Sequence, residues 1–228
     1  MKKTVVQAAV FAAAVFAVLV FAACGQLDVV GRDSVRAFQA LLDTVPREVT
    51  ADGAAGGWIL SAPDGSARFV WSSDYSRSPL YDVMIVFEAR PFTGAGLDVN
   101  RLPENITVSG GEIIAGTKLG NEAPRHSGVP TPISSYEQIV KLRRDSIGYH
   151  GAMDHYGVSL SGGNLFEWAK DMDANDKDIV FVLNPEPFIS AGVDPRNIEG
   201  WVFTKVTVDD ANGRPVEVDR ILKFFDLR

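Results

Sequence analysis

The sequence predicts an α+β fold of two tandem repeats, each one helix followed by an antiparallel four-stranded meander, with the helices packed on one sheet face. Three observations predict it. First, Asp82, Pro91, Phe92, Ala95, Gly96 and Asp98 recur in the same order and spacing as Asp178, Pro187, Phe188, Ala191, Gly192 and Asp194, each set opening on an apolar run. Second, Phe69, Trp71 and Asp74 match Phe166, Trp168 and Asp171 upstream, one residue out of step. Third, a helix-periodic segment precedes each match. Self-similarity in a fixed order marks a repeat architecture, and runs of strands with one helix per unit mark the α+β class.

The first helix is expected from Ser34 to Val45. Val35, Phe38, Leu41, Leu42 and Val45 share one face, with Asp33 or Ser34 as N-cap and Pro46 as stop. Strands follow near Gly57–Ser61, Ala67–Ser72, Tyr81–Arg90 and Ile106–Thr117. In the second unit Ser134 and Glu137 have capping-box spacing and lead into Ile139, Val140, Leu142 and Ile147. Its strands are expected near Tyr156–Ser161, Asn164–Ala169, Asp178–Asn184, Trp201–Val208 and Val216–Phe225. Turn residues separate them, as at Pro63-Asp64-Gly65 and Gly162-Gly163. This element order is broadly similar to the β-lactamase-inhibitory-protein type of fold, and a likeness of element order does not fix function.

The leader speaks to location. Lys2 and Lys3 precede an apolar run from Val5 to Ala23, broken only by Gln7 and ending in small residues, which is the layout of a secretory signal. A transmembrane helix needs about 20 apolar residues, and no basic stop-transfer cluster follows this run. Phe21-Ala22-Ala23-Cys24 resembles the lipobox of bacterial lipoproteins, although that family prefers Leu, Val or Ile where Phe21 stands. The resemblance implies cleavage before Cys24 and a diacylglycerol and palmitate anchor on it. Two or more acyl chains hold a protein stably on a bilayer. Gly25, rather than Asp, follows the cysteine, which favours the outer membrane in a host with two. The expected organisation is a signal peptide over 1–23, a lipidated tether over 24–32, a first repeat over 33–119, a linker over 120–133 and a second repeat over 134–228.

Composition narrows the partners. The formal net charge is −7, and losing Lys2 and Lys3 makes it more negative, which argues against nucleic acid as an electrostatic partner. The single cysteine can form no internal disulfide, so a hydrophobic core must supply stability.

Chemical motifs are sparse. Asp171, Asp173, Asn175 and Asp176 alternate as in the first half of a calcium loop. Asp176 stands where that loop needs Gly, however, and Val182 where it needs Glu. His150 and His155 flank Asp154; on one extended strand, residues five apart point to opposite faces, so a shared metal ion would need a bulge near Gly151. Nucleophile elbows, phosphate-binding loops and zinc-protease motifs are absent. In the repeated Pro-Phe-x-x-Ala-Gly-x-Asp segment the proline stops a strand, the phenylalanine plugs the core and the aspartate caps a short helix; Asp98 and Asp194 as paired surface sites are the competing reading. The apolar strands through Met84 and Val86 and through Val180 and Val182 are apolar on both faces, so each second face needs a cover: the partner repeat, an apolar ligand or another protein. The expectation is a non-enzymatic, lipid-anchored envelope protein that presents a binding surface to a protein or apolar ligand and needs no cofactor. The alternatives are a structural envelope component and a hydrolase with sequence-dispersed catalytic residues.

Overall fold

The computed structural model describes residues 29–52, 56–73, 81–118, 129–172, 177–209 and 212–227. The leader, Cys24, most of the linker, and Asp173, Asn175 and Asp176 lie outside the described residues. Helix α1 occupies residues 29–44. Strands β1 (Val49–Asp52), β2 (Gly57–Ser61), β3 (Ala67–Ser72) and β4 (Val83–Glu88) follow, then helix α2 (Arg90–Gly94) and strands β5 (Ile106–Ser109) and β6 (Glu112–Thr117). Helix α3 (Pro132–Leu142) opens the second half. It leads to β7 (Ile147–His150), β8 (His155–Ser159), β9 (Leu165–Ala169), β10 (Ile179–Leu183), helix α4 (Glu186–Ser190), β11 (Val202–Asp209) and β12 (Pro215–Phe225).

The class is α+β, with two antiparallel sheets. Each has six strands, against an expected four-stranded meander with one added strand, Val216–Phe225, in the second unit; the orders are β1-β2-β3-β4-β6-β5 and β7-β8-β9-β10-β12-β11. Strand for strand the two orders are the same. Two causes account for the extra strands. Edge strands β1 and β7 carry weak apolar patterns and are defined by their hydrogen-bonded neighbours β2 and β8. The expected single strand over Ile106–Thr117 folds back on itself at Gly110 and Gly111, whose φ of 61° and 85° suit a tight hairpin turn. The last strand of each unit in chain order, β6 or β12, lies beside β4 or β10, so neither sheet is a simple meander.

The number of helices also differs from expectation. Four α-helices occur among the described residues, because each Pro-Phe segment forms a helix of its own with proline in its first turn. The N-cap of α3 is Thr131, not Ser134: the Thr131 hydroxyl accepts from Ser134 N and the Ser134 hydroxyl accepts from Thr131 N. Proline at N1 moves the helix start three residues upstream of the Ser-x-x-Glu spacing.

Strand alternation turns Phe69, Trp71, Ile85 and Phe87 of one sheet and Phe166, Trp168, Ile179 and Phe181 of the other into a single core. Phe69 and Phe166 stack across it, ring centroids 4.3 Å apart and nearly parallel. Phe38 of α1 touches aromatic rings of both sheets, Trp71 at 5.4 Å and Trp168 at 5.1 Å. Helix α3 follows the first unit in sequence yet packs on its sheet: Trp71 Nε1 donates to Pro132 O at 3.0 Å and Trp58 Nε1 to Ser135 Oγ at 3.0 Å.

The repeated segments meet each other. Phe92 and Phe188 lie 5.1 Å apart; Asp98 N donates to Ala191 O at 2.8 Å and Asp194 N to Ala95 O at 2.9 Å. Gly96 and Gly192, at φ 104° and 100°, approach so closely that a Cβ on either would sit 2.8–2.9 Å from the other's carbonyl oxygen. The Asp98 and Asp194 carboxylates cap the 3₁₀ turns Val99–Arg101 and Pro195–Asn197, accepting from Asn100 N and Arg196 N. The motif therefore builds the seam between the two halves. Among the described residues, no helix is long and apolar enough to cross a membrane.

Candidate functional site

With the inner faces sharing one core, the outer faces of the sheets distinguish the two halves. Register compares them directly. In the first sheet one outward row reads Thr50, Ile59, Val70, Met84, Gly116. The corresponding row of the second reads Gly148, Gly157, Glu167, Val180, Phe224. Where the first sheet fills the row with Ile59 and Val70, and lays the Tyr81 ring over Gly116, the second has two glycines and a carboxylate. A side chain at Gly157 would meet Glu167 Cγ at 3.0 Å, and one at Gly148 would meet nothing within 4 Å. The glycines leave a notch into which Glu167 leans.

Above this notch lies a concave pocket of about 450 Å³, within the usual range for small-molecule sites, about 300–1,000 Å³. Its floor is Leu165, Val182 and Leu222, paired side by side across β9, β10 and β12. Val206 and Met153 wall it. The long strands β11 and β12 curl over the outer face until the two sheet edges meet, His150 Nε2 of β7 lying 3.2 Å from Thr207 O of β11.

The polar groups cluster at one end. Glu167 is buried, its side chain 7% exposed; Oε1 lies 3.6 Å from His150 Nδ1, and Oε2 lies 4.0 Å from His155 Nδ1, too far for a hydrogen bond. Oε2 has no hydrogen-bond partner. His150 is held toward its imidazolium form, its pKa raised mainly by Glu167 against the opposing effect of burial. Its surroundings favour this, since Nδ1 faces a carboxylate and Nε2 a carbonyl, both of which only accept. Arg220 reaches in from β12. Desolvation lowers its pKa, the Asp219 and then the Glu167 charge oppose that effect, and its buried Nε–H lacks an acceptor.

His150 and His155 point the same way, contrary to the expectation for one extended strand. A turn between β7 and β8 makes them direct cross-strand partners. Among the described residues, no group of three or more His, Cys, Asp or Glu side chains is placed to hold a metal ion. Asp171, the described member of the calcium candidate, is exposed beyond β9. Ser159 also lines the pocket. It sits four residues along β8 from His155, about 13 Å at strand rise, so it forms no nucleophile–base pair with that histidine.

The four apolar second-face residues are not brought together. Met84 and Val86 face outward on the first sheet, Val180 and Val182 on the second, where they join Leu222 in a separate apolar cluster; of the four, Val182 lines the pocket. Sequence reasoning missed Glu167 and Arg220. One signal was present: Glu167 is the charged residue in a strand whose repeat counterpart carries Val70.

No protein-family model matches this chain, and no curated protein or solved structure proved similar to it, so the likeness in element order noted above is carried no further.

Proposed function

We propose that the protein is a non-enzymatic binding protein of the bacterial envelope, anchored through lipid on Cys24, whose second sheet receives a small apolar ligand on its outer face. One observation carries the reading: a pocket with an apolar floor and a few convergent polar groups is the usual form of a small-molecule site. The equivalent row of the first sheet carries Thr50, Ile59 and Val70 where the second has two glycines and Glu167, which supports it further. Two topologically equal halves, one filled and one hollow, suit a duplication in which one copy retained packing and the other acquired a ligand.

Native mass spectrometry of the purified chain tests this. A co-purifying small molecule, lost in Val206→Phe, is expected, because the larger ring fills the pocket without entering the main core. Recovery of the same molecule from the variant, or of none from either protein, overturns the reading. Intact mass tests the anchor: the native protein should carry the lipid increment and Cys24→Ser should not.

A further inference from the structure

We propose that the ligand carries an uncharged polar head that donates a hydrogen bond to Glu167 Oε2, a hydroxyl being the simplest; this rests on the binding reading above. One buried carboxylate oxygen defines the demand. Oε2 is an acceptor without a donor, and His155 Nδ1 stands 4.0 Å from it, too far to supply one. Buried groups left in this state are costly, and native proteins rarely keep them without a reason.

Charge decides the kind of head. His150 Nδ1 and His155 Nδ1 lie 3.6 Å and 4.0 Å from the Glu167 carboxylate, and the Arg220 guanidinium lines the same pocket. An ammonium head would satisfy Oε2 while adding a positive charge beside two imidazoles and a guanidinium in a desolvated site. A carboxylate head would meet Arg220, yet it would bring a second anion against Glu167 and leave Oε2 without a donor. A hydroxyl satisfies Oε2 and adds no charge. Strand register orders the site to match. Glu167 and Val180 form one row, Leu165, Val182 and Leu222 the next, and Arg220 lies one row further along β12. The apolar body of the ligand then covers the middle row.

Isothermal titration of the full chain with octanol, octyl methyl ether, octylammonium and octanoate tests this. Octanol should bind about tenfold tighter than its methyl ether, the effect of one hydrogen bond to a charged acceptor, and tighter than either ion. Glu167→Leu should bind octanol and the ether alike. Glu167→Gln, which keeps an acceptor, should retain the preference for the alcohol. If all four probes bind with equal strength, or Glu167→Leu still prefers octanol, the head assignment is wrong and the pocket reading stands. If none binds, the pocket reading itself fails. Circular dichroism of both variants separates lost recognition from lost folding.

Discussion

Replacing Gly96 by alanine places a methyl group in the seam between the two halves. At φ 104° an L-residue is strained, which costs about 1–2 kcal/mol. The added Cβ would also stand 2.8 Å from the Gly192 carbonyl oxygen, well inside van der Waals contact, so the seam must open. The two reciprocal backbone hydrogen bonds that flank the contact, Asp98 N to Ala191 O and Asp194 N to Ala95 O, then lengthen, at about 1 kcal/mol each. The total is about 3–4 kcal/mol. Gly65→Ala is the control: its φ of 71° carries the strain, but a Cβ there meets nothing within 4 Å, so about 1–2 kcal/mol is expected. Urea denaturation followed by tryptophan fluorescence measures both. With a slope of about 2 kcal/mol per molar urea, Gly96→Ala should lower the midpoint by about 1.5–2 M and Gly65→Ala by less than about 1 M. Equal shifts for the two variants would refute the close approach of the repeated segments.

Further outcomes follow from individual side chains. His150 has its pKa raised by Glu167, so its contribution to stability is fully present below its unfolded value of about 6.5 and is lost as pH rises through the folded value. The thermal midpoint should fall between about pH 6 and pH 8, and His150→Gln should flatten that slope; an unchanged slope would remove the Glu167 pairing. Trp71 Nε1 donates to Pro132 O, whereas Trp168 Nε1, equally buried, has no acceptor. Trp71→Phe should therefore cost about 1–2 kcal/mol more than Trp168→Phe in the same denaturation assay.

Much of the frame was legible in the sequence. The span Gly57–Ser61 and the span Ala67–Ser72 are strands with the expected ends, because each pairs strong β-formers with flanking turn residues. The apolar face of α1 holds Phe38 and Leu41 in the core. What the sequence hid was long-range. Ile147 fits the apolar period of α3 but opens strand β7, which β8 defines by pairing with it, and the hairpin that brings His150 opposite His155 reverses an argument based on one continuous strand. Proline at N1 of α3 outweighed a well-spaced Ser-x-x-Glu. The pocket is the clearest case. It depends on the register that sets Gly148, Gly157 and Glu167 side by side and on the curl of β11 over them, neither of which local periodicity encodes.

The central claim is that one sheet is hollow where its counterpart is filled. Amide chemical shifts of the full chain during titration with octanol test it most directly. Saturable shifts at Gly148, Gly157 and Val182, with Thr50, Ile59 and Val86 unmoved, are the predicted result. Shifts shared equally by the two outer faces, or confined to the first, would contradict it.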